Sequence, residues 1–363
     1  MTIATFSSVI FFDMFKQCHF PIHIFGGIIA PDIRHYAFID VRYLYSRELA
    51  RNIVDELDMK MLNFLSRNSR VSYSSLGNEI GLTAKSVKAR IKKMQSSGVM
   101  ESFIVKVNPL VPSYSKLCLL TVRNNKADEK HIERSLSLLG DILESAYVLG
   151  NISIFMLAIK KEAEEKLELL ANVVGQDLIQ NQAIPFSSVR EQPTYSDFKI
   201  IRCLLANPRM EISDIAERIS MSSKTVARRL DKMIENRLVE FTIHCNPTAM
   251  RGYIISVVWA NTEKGSYRDV LEKSYLDLKD SFFLYSPALG QQDMVYWVFC
   301  TTDVFVLDSV LKRIESYTGV RKVDVFIPTH IEYHKEVIIR EIERKLVEGK
   351  RSLEDKEIPN VVA

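Results

Sequence analysis

The chain has 363 residues, of which 47% are hydrophobic and 26% charged, and a formal net charge of only +3. This composition indicates a soluble globular protein, and the length predicts two or more domains because it exceeds one ordinary hydrophobic core. The small net charge excludes a uniformly basic surface, and the five scattered cysteines, which form no CxxC pair, exclude a disulfide framework or zinc knuckle and favour a cytoplasmic protein.

Residues 1–50 form an apolar segment to which no structure is assigned. Asp13, Lys16 and Pro21 interrupt its apolar runs, so none approaches the ~20 residues needed to span a bilayer. No positive charge precedes Lys16, where a signal peptide would carry one. We therefore predict an N-terminal extension without a membrane role.

A long stretch of the sequence occurs twice. Residues 57–103 align with residues 196–242 without a gap, at a constant offset of 139 positions (196 − 57). Identical residues at this offset include the pairs Asp58 and Asp197, Asn68 and Asn207, Arg70 and Arg209, Arg90 and Arg229, and Met94 and Met233. This similarity predicts a tandem duplication.

Each copy is predicted to contain three helices and a small hairpin. In the first copy, helix one ends near Asn68, Ser72 caps helix two, Gly81 provides the tight turn and Thr83 caps helix three. Alternating residues in "GVMESFIVKVNP" then predict a strand or wing. Two short helices joined by a tight turn are typical of a helix-turn-helix, which we place at 51–109 and, in the second copy, at 193–247.

The third helix carries unbalanced positive charge. In "GLTAKSVKARIKKM" (81–94), three apolar residues with helical spacing, Val87, Ile91 and Met94, predict a buried stripe. The remaining surface is basic, which suits phosphates and base edges in a DNA major groove. A solvated lysine face on a structural helix is the alternative, but the recurrence of the pattern after Ser222 favours DNA binding. The third helix of the second copy is less basic than that of the first, because it contains Asp231.

Candidate DNA contacts follow from position on the two helices. The predicted base-reading residues are Lys85, Ser86, Lys88 and Ala89 in the first copy, and Lys224, Thr225, Ala227 and Arg228 in the second. The predicted phosphate contacts are Arg90, Lys92, Arg229 and Lys232.

Each helix-turn-helix is followed by the order strand, helix, strand, strand, helix, strand. This order predicts a ferredoxin-like βαββαβ domain at 110–192 and again at 248–336, so the chain is α+β. The open faces of the two antiparallel sheets are expected to cover each other. The tail, 337–363, is predicted to be helical to about Glu348, with Ile338, Ile342 and Leu346 on one stripe.

This arrangement resembles the Lrp/AsnC family of transcriptional regulators over residues 55–335. The motifs are Asp58 in the opening helix, Leu82-Thr83 at the turn, Arg90 in the recognition helix and Asn108-Pro109 after the wing; in the second copy Arg237 replaces the glycine before the wing. The resemblance implies sequence-specific binding of double-stranded DNA. Family members dimerise through their ferredoxin-like domains, so two units in one chain imply a covalent pseudo-dimer; further homo-oligomers are allowed.

The resemblance also implies an amino-acid-like effector at the loop between the middle strands. The corresponding residues are Gly150, Asn151, Gly290, Gln291 and Asp293. The acidic residue usual in the family is missing from the first loop and displaced in the second.

The siroheme decarboxylases, which are similar in plan, are the enzymatic alternative. Their function depends on histidine- and arginine-bearing motifs around a tetrapyrrole pocket, whereas no histidine of this chain recurs at the repeat offset. His330, Glu332 and His334 would share one side of a strand, as metal ligands do, but an exposed polar strand end explains them more simply. We therefore predict no catalytic residues, no metal and no cofactor.

Overall fold

The computed structural model describes residues 54–123, 129–169, 178–184, 189, 191–278, 282–285 and 294–357. The predicted extension at 1–50 and the last six residues of the tail lie outside this range. Among the described residues, no helix is long and apolar enough to cross a lipid bilayer.

The predicted order of elements is present in both halves. The first half contains α1 (Glu56–Arg67), α2 (Tyr73–Ile80), α3 (Ala84–Ser96), β1 (Met100–Val107), β2 (Tyr114–Arg123), α4 (Glu129–Ser137), β3 (Asp141–Val148), β4 (Ile152–Lys160), a 3-10 helix (Lys161–Leu169) and β5 (Leu178–Ile184). The second half contains α5 (Tyr195–Ala206), α6 (Ile212–Ile219), α7 (Ser223–Glu235), β6 (Val239–Cys245), a short 3-10 helix (Pro247–Ala249), β7 (Ile254–Thr262), α8 (Tyr267–Asp277), β8 (Phe282–Tyr285), β9 (Met294–Thr301), α9 (Val304–Glu315) and β10 (Val320–Phe326). Two further elements, β11 (Pro328–Tyr333) and α10 (Lys335–Glu357), end the described chain.

Capping side chains set the helix boundaries as predicted. The Ser72 hydroxyl accepts a hydrogen bond from the Ser75 N–H (3.0 Å) at the start of α2, and Gly81 ends that helix with a φ of 74°. The Thr83 hydroxyl caps α3 and the Ser222 hydroxyl caps α7 in the same way. Each cap satisfies a helical N–H that has no partner within the helix.

The strand after each recognition helix corrects the expectation of a small hairpin within each copy. β1 pairs antiparallel with β6 of the other copy, from Met100 opposite Cys245 to Val107 opposite Val239. Each copy supplies one strand here, so the free N–H and C=O groups of one strand are satisfied by the other. We call this two-stranded sheet, β1 and β6, the ribbon.

Two larger antiparallel sheets form the remainder of the described fold. One has the strand order β11-β3-β4-β2-β5, and the other β10-β7-β9-β8. Their open faces pack together, as expected, through an apolar cluster that includes Val148 and Ile154 from the first sheet and Trp259 and Met294 from the second.

The final strand of the second half departs from the prediction of one continuous strand, "VRKVDVFIPT". It breaks after Phe326, because Pro328 has no N–H for the ladder. β10 stays in the second sheet, whereas β11 crosses over and pairs antiparallel with β3 of the first. The predicted range 248–336 therefore contains a strand that lies in the other half's sheet.

The C-terminal helix α10 packs its predicted stripe, Ile338, Ile342 and Leu346, into a core shared with the second helix-turn-helix. The prediction that the helix ends near Glu348 is wrong, because α10 continues to Glu357. A side-chain carbon at Gly349 would lie 2.7 Å from the Tyr195 ring. The glycine therefore permits close packing of α10 against α5 and does not mark the end of the helix.

Candidate nucleic-acid interface

Recognition helix α3 is anchored by its apolar stripe. Val87, Ile91 and Met94 are buried in the core of the first helix-turn-helix. In the second copy Val226, Leu230 and Met233 occupy the same places on α7. The opposite face of each helix is left for solvent or a ligand.

The predicted base-reading residues lie on this outer face to different degrees. Lys85, Lys88 and Ala89 are exposed on α3, as are Lys224 and Arg228 on α7. Ser86, Thr225 and Ala227 are half-buried. The hydroxyls of Ser86 and Thr225 also contact the capping hydroxyls of Thr83 (2.9 Å) and Ser222 (2.8 Å), so these two side chains support the start of their helices.

Arg90 and Arg229, predicted to contact phosphates, connect the recognition helix to the first helix of each unit. Arg90 Nη1 donates to Asp58 Oδ1 and to Asp55 Oδ2, each at 2.7 Å. Arg229 Nη1 donates to Asp197 Oδ1 at 3.1 Å. Asp58 and Asp197 are buried, and a buried carboxylate requires a partner. The arginines therefore stabilise the unit, and we leave them out of the interface proposed below.

The same contacts perturb the titration of Asp55. Burial raises the pKa of its carboxyl, but hydrogen bonds from Arg90 and from the Asp58 N–H outweigh that effect, so the pKa lies below its ordinary value of 3.8. A carboxyl with a depressed pKa contributes stability above its unfolded pKa. This contribution is lost only as the pH falls through the folded-state value.

The two remaining predicted phosphate contacts differ in their surroundings. Lys92 is exposed on α3. Lys232 is exposed on α7 but lies 2.6 Å from Glu191, so its charge is partly balanced. The first helix thus presents more unbalanced positive charge than the second.

Two arginines, one from each helix-turn-helix unit, donate hydrogen bonds to the backbone of the other unit, contacts that were not foreseen from the sequence. Arg70 donates to the carbonyl oxygens of Pro208 (2.7 Å) and Met210 (3.0 Å) in the second unit. Arg209 donates to the carbonyl oxygens of Ser69 and Val71 (3.1 Å) in the first. The repeat offset paired these two arginines, but that signal did not reveal that each one bonds to the other copy.

A cavity of about 160 Å³ lies between the two sheets and the ribbon. Its apolar wall includes Ile154, Met156, Val257 and Trp259. Trp259 is almost fully buried, and its indole N–H has no hydrogen-bond partner among the described residues. Ribbon residues Ile104, Lys106, Thr242 and His244 also line the cavity, so a molecule bound there would touch both sheets and the link between the helix-turn-helix units.

The cavity also has a charged side. Lys106 Nζ lies 3.3 Å from Glu144 Oε2, and both residues line the cavity. A bound α-amino acid could pair its carboxylate with this lysine and its ammonium with this glutamate.

The predicted effector turn between the middle strands is only partly described. Gly150 and Asn151 form the β3–β4 turn, with φ of 87° and 58°, and both are exposed. Gly290, Gln291 and Asp293 lie outside the described residues. Gly150 and Asn151 are not among the residues that line the cavity.

Two regions of the chain, which contain α3 and α7, match known families of DNA-binding domains. Residues 54–95 match the model of the AsnC-type helix-turn-helix domain, and residues 194–240 match that of winged helix-turn-helix DNA-binding domains. The chain is 28% identical over 123 residues to an uncharacterized HTH-type transcriptional regulator of Pyrococcus furiosus, covering 34% of this chain and 83% of that protein. It is 25% identical over 122 residues to the regulatory protein AsnC of Haemophilus influenzae, covering 33% of this chain and 81% of that protein.

Among solved structures, the siroheme decarboxylase NirDL aligns with a TM-score of 0.42 at 12% identity, over 82% of this chain and all of that one. The first helix-turn-helix is thus of the AsnC type, the second is a winged helix-turn-helix, and the chain is similar to transcriptional regulators of the family that the sequence resembled.

The arginine contacts predict opposite effects for two neighbouring cations of α3. Arg90→Ala leaves the buried Asp58 carboxylate without its main partner, so we expect a loss of roughly 1–3 kcal/mol in the free energy of unfolding, measured by urea denaturation. Lys88→Ala, which removes an exposed charge, serves as the matched control and is expected to change stability by less than about 0.5 kcal/mol. Equal stability of the two variants would show that Arg90 is not a structural residue.

Proposed function

We propose that this chain is a transcriptional regulator that binds double-stranded DNA with both helix-turn-helix units as an intrachain pseudo-dimer. The observation that carries the proposal is the pair of capped helices, α3 and α7, which bury one apolar stripe each and present basic residues outward. The N-terminal part of a recognition helix normally contacts base edges in the major groove. Lys85, Lys88, Lys224 and Arg228, exposed in that part of each helix, are the proposed contacts.

The connection between the units supports action as a pair. The ribbon joins them through backbone hydrogen bonds, and the reciprocal Arg70 and Arg209 contacts join them a second time. Two reading heads linked in this way keep a defined spacing, which a two-part DNA site requires. The ranges 51–109 and 193–247 remain our proposal for the limits of the two heads, and 110–192 and 248–336 for the limits of the two sensor domains.

Selective DNA binding is tested by removing one exposed cation from each head. We expect Lys88→Ala with Arg228→Ala to lose about 1–3 kcal/mol of discrimination for each lost base contact, measured by anisotropy titration against selected and scrambled DNA. Lys264→Ala with Arg268→Ala removes the same charges from exposed positions in the second half and is the control. Unchanged selectivity of the first pair would contradict the assignment. A Soret band with turnover on adding siroheme would favour the decarboxylase alternative.

The two heads are not identical, and an asymmetric site should follow. Lys88 corresponds to Ala227, Ala89 to Arg228 and Lys92 to Asp231, each pair 139 positions apart. We expect genomic selection with the purified protein to return two half-sites, about 34 Å apart, that only partly resemble each other.

Stoichiometry and salt dependence complete this prediction. One chain should bind each site by mass measurement, and neutralising Lys92 should reduce the slope of log affinity against log salt by about 0.9, whereas neutralising Lys232 should reduce it less. A perfect palindrome that binds two chains would show that the two copies do not act as one dimer.

We also propose that the effector is a small amino acid with an apolar side chain, bound in the inter-sheet cavity. An apolar cavity of roughly 150 Å³ accepts a molecule of the size of benzene, comparable to the side chain of leucine or phenylalanine. The Lys106–Glu144 pair offers partners for the charged ends of such a ligand, and the unpartnered Trp259 N–H offers a further donor. A ligand in this position would contact ribbon residues directly, which gives its binding a route to the connection between the two helix-turn-helix units.

The effector proposal predicts that leucine or phenylalanine raises the thermal unfolding midpoint, and that the rise grows with the logarithm of ligand concentration above the dissociation constant, because a ligand that binds only the folded state stabilises it. Ala146→Met, which fills the cavity from β3, should remove the response, whereas Leu138→Met, at an exposed position, should keep it. The cavity is not the site if no apolar amino acid shifts the midpoint, or if Ala146→Met responds as the wild type does.

A further inference from the structure

Three side chains from distant parts of the sequence converge outside the inter-sheet cavity. Glu133 of α4, Glu332 of β11 and His334, which follows β11, place one ligating atom each within 4.8 Å of one another. The sequence predicted the shared side of Glu332 and His334 but missed Glu133, which lies about 200 positions earlier. His330, the other member of that sequence cluster, stacks on the Tyr147 ring at 5.9 Å.

The crossover of β11 creates this cluster. β11 pairs with β3, so Glu332 lies opposite Ser145 and His330 opposite Tyr147, on the face of the sheet covered by α4. Glu133 reaches the same point from α4. The cluster therefore exists only where a strand of the second half joins the sheet of the first.

Hydroxyl groups orient the Glu133 carboxylate. The Tyr147 hydroxyl donates to Glu133 Oε1 at 2.7 Å, and the Ser145 hydroxyl donates to the same oxygen at 3.1 Å. Both bonds use Oε1, which leaves Oε2 for a cation. Such second contacts fix the orientation of metal-ligating carboxylates in known sites.

The same serine determines which His334 nitrogen carries a lone pair. Ser145 has one hydroxyl proton, which it donates to Glu133, so it must accept from His334 Nε2–H at 2.8 Å. A neutral His334 then has its lone pair on Nδ1, the nitrogen that faces Glu332 Oε1 at 4.0 Å. Imidazole nitrogen is a ligand that zinc and similar ions prefer.

The charge of the cluster is unbalanced. Within the described part of the chain, neither Glu133 nor Glu332 has a lysine or arginine nitrogen within 4.0 Å. The arginines of α10, the helix that follows His334, form their described ion pairs with Asp141, Glu341 or Glu348. Two carboxylates close together without a lysine or arginine partner repel each other, and a divalent cation between them would remove the repulsion.

We infer that Glu133, Glu332 and His334 form a binding site for one divalent first-row transition-metal ion, such as Zn²⁺, that fastens β11 to the first sensor domain. One nitrogen and two carboxylate oxygens make a three-ligand set with an open position for water. The ion would link α4, in the first half, to the segment that leads directly into α10. Because α10 packs on α5 of the second helix-turn-helix, the site would also stabilise the connection between the halves.

Metal binding tests this inference without any DNA. Chelator-treated full-length protein is titrated with Zn²⁺ by calorimetry and with Co²⁺ by visible absorption, and we expect one ion per chain and a raised thermal midpoint. Glu332→Gln, at an exposed position that folding does not require, should weaken affinity by at least about tenfold, as should Glu133→Gln and His334→Ala. Tyr147→Phe, which removes only a supporting hydroxyl, should weaken it by about tenfold.

Matched controls separate a site from general surface binding. His131→Ala removes an exposed histidine from α4, and Glu272→Gln removes an exposed glutamate from α8; both should bind the ion as the wild type does. The inference is overturned if the wild type binds no ion tighter than Glu332→Gln, or if the two controls lose as much affinity as the ligand variants.

Discussion

The pairing of β1 with β6 is the interaction on which the rest of the structure depends. Each copy of the repeat ends its helix-turn-helix with one strand, and a single strand leaves a row of unpaired backbone groups that cost free energy when buried. The partner is the equivalent strand of the other copy. This pairing joins the two reading heads to each other and provides one wall of the inter-sheet cavity.

Exchange between the copies recurs at three levels. In the ribbon, β1 of one copy pairs with β6 of the other. Arg70 and Arg209 each donate to carbonyl groups of the opposite unit. β11, from the second half, pairs with β3 in the sheet of the first. Each half therefore lacks groups that the other supplies. Loss of either half would expose the apolar face and the backbone edge of the other.

The recognition helices show how structural and binding roles divide within one short helix. Every third or fourth residue holds the helix on its core, and one arginine per helix neutralises a buried acid: Asp58 in the first unit and Asp197 in the second. Lys93 also lies 3.9 Å from the Asp58 carboxylate, whereas the exposed positions of Lys88 and Lys92 carry Ala227 and Asp231 in the second copy. The buried stripe and the arginine–aspartate contact repeat in both copies, whereas several outward-facing positions, such as Lys88 and Ala227, differ.

The sequence by itself determined the two helix-turn-helix units, the helix caps, the buried stripes and the order of strands and helices, because these depend on local spacing and on side chains that bond a few residues away. It did not determine which strands pair, since one extended segment can satisfy its backbone on any free edge, and Pro328 only shows that a ladder breaks. Nor could it show that Arg90 faces a buried carboxylate, or that Glu133 meets His334, because both contacts join residues far apart in the chain. Those features are decided by tertiary packing, where burial makes an unpaired charge or backbone group costly enough to select the partner.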